Sequence, residues 1–351
     1  MKVVHRRTGV AAAVVAALAT AVALLGNPGG ASADVLKPPA TVAGLKVLLT
    51  NDDSVQDNLA NGSAGRGLYE LRHALCAAGA DVVVVGPWAQ QSGAGGKITV
   101  DSKAKMTIQP VTPPDAYVAD CAAAPSGGRV YGACIVAAPC TADSPTATPA
   151  DTVQIALNNF IRPNFWATGP DLVLTGINFG QNTGITTFHS GTTSAAVTAH
   201  QYGAPAIAFS EALPGDTPAL IACYTQNVGC PTYTAAAAFA VTLIGKLRGA
   251  GLLQPATLLN VNYPHVADGQ TVGKPVVNVL GVGESLATGW SGSVGVDGGS
   301  YGFGLGTPIK ETRKNADTTA IAKGKISIVP LDGDWTATAS PKLTAVVKAL
   351  G

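Results

Sequence analysis

The sequence predicts an α/β fold, namely a Rossmann-like, doubly wound and mostly parallel sheet between two layers of helices. Two apolar strands at 45–50 and 81–85 flank an amphipathic helix at 67–78, which makes a β-α-β unit. Uninterrupted apolar runs are typical of strands that are buried on both faces of a parallel sheet. The same alternation returns between 148 and 263, so we expect one three-layer α/β/α domain over residues 44–265.

Each element of this domain has its own signal. Leu68, Leu71 and Leu75 recur at helical spacing, and Gly79 stands where a glycine often ends a helix. A later helix is opened by Thr148-Pro149, because proline suits the first helical turn. The elements expected after it are a strand at 171–175, a helix from Gly191, a strand at 206–210, a helix at 232–248 and a strand at 258–263.

Two segments lack this alternation. Residues 110–148 are rich in proline, alanine and glycine and hold three cysteines, so we predict an insertion in the domain. Residues 266–351 contain glycine-rich stretches and short β-like runs, and Ser340-Pro341 begins a terminal helix. We therefore predict a C-terminal β extension that ends in a helix.

The first 33 residues have the pattern of a secretory signal peptide. Three basic residues precede an apolar run at 10–25, and Ala31-Ser32-Ala33 is a small-residue cleavage site. The alternative is an uncleaved membrane anchor, but the run is shorter than the roughly 20 residues that span a bilayer. We expect a secreted protein, cut after Ala33, without stable membrane association. The choice between the general and the twin-arginine export route stays open.

The charge balance gives no reason to expect a nucleic-acid polymer as a partner. The chain has 22 basic and 21 acidic side chains, and removal of residues 1–33 leaves 19 and 21, a net charge of −2. A surface for nucleic acid or for an anionic membrane would need a basic excess.

All six cysteines lie in the predicted mature chain, and an even number in an exported protein favours disulfides. Cys223 and Cys230 bracket a short loop and are expected to pair. The three cysteines of the 110–148 segment would have Cys76 as a fourth partner. A zinc site is the alternative, but the chain has no C-x-x-C pair to support it. The three cysteines of the segment are Cys121, Cys134 and Cys140.

Polar residues follow three of the expected strands at their carboxyl ends, where ligands bind in open parallel sheets. They are Asn51-Asp52-Asp53-Ser54, Gln90 to Gly93 and Gly176 to Asn182. Carboxylate, hydroxyl and amide oxygens suit Mg²⁺, Mn²⁺ or Ca²⁺. Adjacent carboxylates repel, so a bound cation would explain the Asp-Asp pair. The alternative is that one aspartate caps the following turn and the other faces solvent.

The start of the helix at Gly191 is a second polar feature of the same edge. His189-Ser190-Gly191-Thr192 offers hydroxyls and backbone N–H groups, and the glycine permits close approach, so the segment can hold an anion. The alternative is an ordinary capping sequence. A cation beside an anion site is the arrangement that phosphoester hydrolysis needs.

These segments, with several others, occur in a characteristic order over most of residues 45–335. They are Leu48-Leu49-Thr50-Asn51-Asp52-Asp53, Gly86-Pro87, Gln91-Ser92-Gly93-Ala94, Thr148-Pro149-Ala150-Asp151, Pro170-Asp171-Leu172-Val173, Gly176-Ile177-Asn178, Gly180, Asn182-Thr183-Gly184, Ser190-Gly191-Thr192, Leu259-Asn260-Val261-Asn262-Tyr263-Pro264 and Lys325-Ile326-Ser327-Ile328-Val329-Pro330-Leu331. The ordered set resembles the SurE (survival protein E) family of 5′/3′-nucleotidases and phosphatases.

The resemblance implies hydrolysis of nucleoside 5′/3′-monophosphates, with small-molecule phosphomonoesters as substrates. It also implies a Rossmann-like domain whose β extension forms a homodimer or homotetramer. The implied ligands of a divalent metal are Asp52, Asp53, Ser92 and Asn178, and the residues implied to face the phosphate are Asn182, Ser190, Gly191 and Thr192.

Asp52 and Asp53 are the candidate catalytic residues, and two routes are compatible with them. Either a metal polarises the phosphoryl group and activates water, or one aspartate attacks phosphorus directly. His189 is a further candidate, which would bind the phosphate or protonate the leaving oxygen. The alternative is that His189 is a helix-start residue that points at solvent.

Two other functions fit the sequence. One is a secreted phosphatase of broad specificity that scavenges phosphate. The other is an exported nucleotide- or phosphate-binding protein that has lost catalysis. Retention of Asp52, Asp53, Ser92 and Asn178 argues against the latter, because binding alone needs no open metal position.

Overall fold

The structure is a computed structural model. It describes residues 41–58, 63–215, 217–226, 230–266, 270–284, 287–292, 295–296, 298–334 and 340–349. The predicted signal peptide at 1–33 lies outside the described residues.

The strands are β1 (Lys46–Thr50), β2 (Asp57–Asn58), β3 (Ser63–Ala64), β4 (Asp81–Pro87), β5 (Thr107–Pro110), β6 (Val130–Cys134), β7 (Leu172–Phe179), β8 (Ala206–Glu211), β9 (Leu258–Tyr263), β10 (Gly273–Val277), β11 (Thr288–Ser291), β12 (Gly302–Leu305) and β13 (Lys325–Pro330). The α-helices are α1 (Arg66–Ala77), α2 (Pro149–Ile155), α3 (Ile161–Asn164), α4 (Gly191–Gln201), α5 (Thr217–Gln226), α6 (Thr234–Gly249), α7 (Asp317–Ala322) and α8 (Pro341–Lys348). In the part of the chain that the structure describes, no helix is both long enough and apolar enough to cross a bilayer.

The main sheet has the strand order β10-β13-β9-β8-β7-β1-β4-β6-β5. From β9 to β6 the strands run parallel, and β13 and β5 pair antiparallel at the two ends of this parallel part. The chain passes from β1 to β4 and β6, and then returns to β7 on the other side of β1. The strand order therefore reverses between β1 and β7, which is where open α/β sheets bind ligands. The predicted doubly wound fold is confirmed.

Side chains alternate between two apolar cores on the two faces of the sheet. Leu49 of β1 packs in one core with Leu68 of α1 and with α6. Its neighbour Leu48 packs in the other core with Val153 of α2 and Ala195 of α4. All five side chains are fully buried, so these helices cover both faces of the parallel strands.

Helix α2 begins as the sequence predicts. The Thr148 hydroxyl accepts a hydrogen bond from the backbone N–H of Asp151, the Asp151 carboxylate accepts one from the backbone N–H of Thr148, and Pro149 occupies the first helical position. The Asp151 carboxylate also accepts hydrogen bonds from the backbone and the hydroxyl of Thr99, each 2.8 Å long. These bonds attach the loop after β4 to the start of α2.

The segment at 110–148 differs from the predicted insertion, because β6 lies inside it and pairs with β4. Before β6 the segment lies at the amino edge of the parallel strands, where the Ser126 hydroxyl donates to the Asp81 carboxylate. After β6 it lies at the carboxyl edge, where Trp88 Nε1 donates to the carbonyl oxygen of Thr141 over 2.9 Å. A five-residue strand between loops rich in glycine and proline carries no periodic pattern, so the sequence did not reveal β6.

The predicted boundary between residues 265 and 266 also differs from the structure. β13 pairs with β9 and β10 pairs with β13, so these C-terminal strands continue the main sheet. The hairpin of β11 and β12 forms a separate two-stranded sheet. A strand that joins a sheet after a long connection cannot be placed by local sequence pattern, which explains the difference.

All six cysteines form disulfides, namely Cys76–Cys121, Cys134–Cys140 and Cys223–Cys230. The expected pairing of Cys223 with Cys230 is confirmed, and Cys76 does provide the fourth partner. The first disulfide attaches α1 to the segment before β6 across a sequence separation of 45 residues, whereas the other two separations are 6 and 7 residues.

We expect the Cys76–Cys121 disulfide to contribute most to stability. A disulfide restricts the unfolded chain more when it closes a longer loop, so a separation of 45 residues corresponds to about 4 kcal/mol and one of 6 residues to about 2 kcal/mol. Cys76→Ala/Cys121→Ala should therefore lower the free energy of unfolding in urea about twice as much as Cys134→Ala/Cys140→Ala. Equal losses would contradict this ranking.

Candidate active site

The site begins at the turn after β1. Asp52 and Asp53 are buried there, with 4% and 3% of their surfaces exposed. Asn51 shapes the turn, because its Nδ2 donates to the carbonyl oxygen of Ser54 over 3.0 Å. Ser54 takes a φ of 95°, and its hydroxyl donates to the carbonyl oxygen of Trp88. The turn is thus held from both sides, and its two carboxylates are kept out of solvent.

Asp52 lies against the N-terminus of α4. The Thr192 hydroxyl donates to Asp52 Oδ1, and the backbone N–H groups of Gly191 and Thr192 also stabilise the carboxylate. A Cβ atom on Gly191 would lie 2.8 Å from Asp52 Oδ2, so this position requires glycine. The positive end of the helix dipole favours a negative charge here. The residues predicted to face phosphate therefore also bind a carboxylate of the site.

Asp53 is held by the neighbouring strand, because its Oδ2 accepts the backbone N–H of Phe179 in β7 over 3.0 Å. Burial raises the pKa of Asp53 well above the ordinary range, and the charge of Asp52 raises it further. Burial also raises the pKa of Asp52, although the hydrogen bonds from Thr192 oppose that rise. Two buried neighbouring carboxyls that resist ionisation form a site that a cation would stabilise.

The donor set fits a hard divalent cation. Asn178 is buried, and its Nδ2 donates a hydrogen bond to the carbonyl oxygen of Gly180 over 2.7 Å. Its Oδ1 is therefore the atom that can bind a metal. With Asp52 and Asp53 this gives carboxylate and amide oxygens, which Mg²⁺, Mn²⁺ and Ca²⁺ prefer. Among the described residues, no group of three or more His, Cys, Asp or Glu is placed to hold a metal.

Ser92, the fourth predicted ligand, lies in the exposed loop after β4. Its backbone N–H donates to Gln90 Oε1 over 2.8 Å, and its hydroxyl accepts a hydrogen bond from Gln90 Nε2. The next residue towards the N-terminus, Gln91, donates its backbone N–H to the carbonyl oxygen of Asp52 over 2.7 Å. The loop therefore brings Ser92 within one residue of the Asp52 backbone.

The remaining predicted residues lie around the start of α4. Ser190 is its N-cap, and Ser190 Oγ accepts the backbone N–H of Thr193 over 3.0 Å. The Ser190 hydroxyl keeps its own proton, which it can donate to an anion. His189 is exposed and ends the short 3₁₀ turn before α4. Asn182 is buried, and its Nδ2 donates to the Ser210 hydroxyl over 2.9 Å.

Several groups at this edge were not predicted from the sequence. The N–H groups of Phe179 and Gln91 belong to the backbone, so no residue type could reveal them. Glu211, at the end of β8, is also buried. Its Oε2 has no hydrogen-bond partner among the described atoms, while the backbone N–H groups of Thr232 and Tyr233 stabilise the carboxylate. A polar residue at the carboxyl end of a strand was the available signal.

Glu211 should make stability depend on pH. Burial raises its pKa from 4.5 to about 7, so the folded protein holds a proton that the unfolded chain releases. The stabilisation is complete below pH 4.5 and is lost as the pH rises to 7, by roughly 3 kcal/mol. Glu211→Gln should therefore remove this loss and make the protein more stable than the wild type at pH 8. The free energy of unfolding in urea should be measured at pH 5 and at pH 8 for both proteins. An equal change between the two pH values in wild type and variant would contradict the assignment.

Comparison with known proteins places the chain. The family described as "Survival protein SurE" matches residues 47–281. A protein named 5′-nucleotidase SurE from Desulfitobacterium hafniense is 30% identical over 293 residues, which cover 83% of this chain and 92% of the relative. Its namesake from Geotalea uraniireducens is 31% identical over 294 residues, with 83% and 94% covered.

A crystal structure of the SurE protein from Aquifex aeolicus has the same fold. Its TM-score is 0.57 at 24% sequence identity, and the match covers 87% of this chain and 98% of that one. The family match extends from β1 to β10, and the relatives are covered over most of their length. The chain therefore belongs to the survival protein SurE family.

Proposed function

We propose that the chain is a divalent-metal-dependent phosphomonoesterase that hydrolyses nucleoside 5′- and 3′-monophosphates to nucleoside and phosphate. The observation that carries the proposal is the pair of buried carboxylates, Asp52 and Asp53, beside the N-terminus of α4. The name 5′-nucleotidase SurE, borne by the relatives, supports the same substrate class.

One group of residues would bind the cation, and another would bind the phosphate. Asp52, Asp53, Asn178 and Ser92 would hold a divalent cation, which supplies the positive charge that polarises the phosphoryl group. The Ser190 hydroxyl and the Asn182 amide would donate hydrogen bonds to the phosphate oxygens. Because these donors are already fixed by the fold, they need no rearrangement as negative charge develops.

His189 is proposed to act on the leaving group. It is exposed and directly precedes the helix cap Ser190. A protonated imidazole at that position could donate a proton to the departing oxygen.

Export and oligomerisation belong to the same proposal. Three disulfides in one chain suit an oxidising compartment, as does the basic and apolar pattern of residues 1–33. Trp290 and Phe303 of the hairpin are 70% and 68% exposed, and apolar residues of α8 are exposed as well. Exposed apolar side chains of this size suit burial between copies in a homodimer or homotetramer.

The metal-dependent role of Asp53 can be tested directly. Asp53→Asn should lower kcat/KM for a nucleoside monophosphate by about a hundredfold or more, because the site loses one charged ligand. The variant should be at least as stable as the wild type in chelator, since it removes a repulsive buried charge. Steady-state kinetics and urea unfolding measure the two effects.

Asp143→Asn is the matched control, because Asp143 is exposed in the loop after β6. It should leave activity unchanged. A chelator should abolish wild-type activity, and added Mg²⁺, Mn²⁺ or Ca²⁺ should restore it. Full activity in metal-free protein would contradict the metal site. Phosphate binding without turnover, whichever divalent metal is added, would support the inactive binding protein instead.

The enzyme should accept esters beyond nucleotides. Of the segment 110–148, the part after β6 reaches the carboxyl edge, so little chain is available there to recognise a base. We expect specificity constants for nucleotides and for an aryl phosphate within roughly a hundredfold, a difference of about 3 kcal/mol. Phosphate release from a panel of monoesters measures this. Turnover of a single nucleotide, with the aryl phosphate untouched, would show that the segment recognises its substrate.

A further inference from the structure

Two fully buried amides on β9 have no part in the proposed chemistry. Asn260 and Asn262 are 0% exposed and lie two residues apart, so they share one face of the sheet. Their register partners on β8 are Ala208 and Ser210. A buried amide on an internal strand destabilises the fold by about 1–3 kcal/mol unless it is hydrogen-bonded.

Both amides bind the backbone of Asn182. Asn262 Oδ1 accepts the backbone N–H of Asn182 over 2.8 Å, and Asn262 Nδ2 donates to the carbonyl oxygen of Asn182 over 3.0 Å. Asn260 Nδ2 donates to the same carbonyl oxygen over 2.8 Å. The side chain of Asn262 thereby pairs with both polar groups of one peptide backbone, as a neighbouring strand would.

The rest of the Asn182 loop is held at its ends. The backbone N–H of Gly180 donates to the carbonyl oxygen of Glu211 over 2.9 Å, and that of Gly184 donates to the Asp317 carboxylate. Ser210 accepts the side-chain amide of Asn182. Asn182 is therefore fixed through its backbone by β9 and through its side chain by β8.

We propose that Asn260 and Asn262 are positioning residues that hold the Asn182 amide at the phosphate. The proposal rests on the proposed function, in which Asn182 faces the phosphate. A side chain on a loop must be held closely to donate to a transition state, since a displacement of about 1 Å can reduce the rate a hundredfold. Asn260 and Asn262 provide this restraint from a rigid strand.

Stability alone does not account for Asn260. Its Oδ1 is buried without a hydrogen-bond partner among the described atoms, so this amide is only partly compensated. An apolar side chain at position 260 would fill the space without that penalty, because the carbonyl oxygen of Asn182 would still accept hydrogen bonds from Asn262 Nδ2 and the Thr187 hydroxyl. What the amides supply, and apolar residues would not, is the fixed geometry of Asn182.

The test is a double-mutant cycle between Asn262→Leu and Asn182→Ala. Asn262→Leu keeps the number and branching of the side-chain heavy atoms but removes both hydrogen bonds to the Asn182 backbone. Alone, each variant should lower kcat/KM for a nucleoside monophosphate about tenfold to a hundredfold and weaken competitive inhibition by inorganic phosphate. In the Asn182→Ala background, Asn262→Leu should change kcat/KM less than about threefold, because the group that it positions is already absent.

Asn278→Leu is the matched control. Asn278 is another buried amide, but its side chain bonds to Asn315 and Ser327. It should lower stability in urea without a change in kcat/KM or in phosphate inhibition. If Asn262→Leu does not fold, Asn260→Ala replaces it in the cycle, because this change removes one hydrogen bond to the Asn182 backbone and keeps both hydrogen bonds from Asn262.

The outcomes separate this inference from the proposed function. Two results would overturn the positioning role and leave the proposed phosphatase activity intact. One is that the losses in kcat/KM of the two single variants add in the double variant, and the other is that Asn262→Leu has wild-type kinetics while Asn182→Ala is impaired. If the wild-type protein hydrolyses no phosphomonoester with any added divalent metal, the proposed function itself is wrong. Wild-type kinetics in Asn182→Ala would overturn both the phosphate contact of Asn182 and the positioning role.

Discussion

The pairing of β1 with β7 is the constraint on which the site depends. Because these strands are parallel neighbours at the reversal of strand order, the residues that follow each of them leave the sheet at one edge. The turn at Asp52 and Asp53 therefore meets the end of β7, whose Phe179 N–H binds Asp53. The next helix, α4, starts at the same edge, and the Thr175 hydroxyl fixes its first turn by donating to the carbonyl oxygen of Thr192 over 2.8 Å. A single pairing thus brings the carboxylates and the helix N-terminus together.

This arrangement opposes folding at neutral pH. Burial raises the pKa of Asp52, Asp53, Glu211 and Asp317, so ionisation of each carboxyl costs folding free energy. Hydrogen bonds offset part of this cost. Asp317 accepts the backbone N–H groups of Gly184, Gly281 and Thr318, and Asp52 is stabilised by the Thr192 hydroxyl and the backbone N–H groups of Gly191 and Thr192. Asp53 accepts a hydrogen bond from the backbone N–H of Phe179, but the neighbouring charge of Asp52 raises its pKa further. The least compensated of the four carboxyls, Asp53, therefore lies where a cation would bind, as is typical of functional sites.

The sequence predicted the elements whose signal is local. The apolar strands β1 and β4 and the start of α2 at Thr148-Pro149 follow from neighbouring residues alone. The parallel order then placed Asp52 and Asp53 at the ligand-binding edge. Contacts between distant segments gave no local signal: the hydrogen bond from Thr192 to Asp52 spans 140 residues, and β6 joins the sheet through pairing rather than through its own pattern. Nor does any residue type reveal that a backbone N–H, such as that of Phe179, binds a carboxylate.

The two short disulfides restrain the loops that support Asp53. Cys134–Cys140 lies at the start of the segment whose Thr141 carbonyl oxygen binds Trp88, and the Trp88 carbonyl oxygen accepts the Ser54 hydroxyl. On the other side, Cys223 and Cys230 pack with Leu213 and Leu220 against Phe179. Each disulfide closes a short loop and contributes less to global stability than Cys76–Cys121 does, about 2 kcal/mol. It also acts locally, because it limits opening of a loop beside the site. The two disulfides therefore restrain the loops on both sides of the Asp53 carboxylate, and the carboxylate itself stays available to bind a cation.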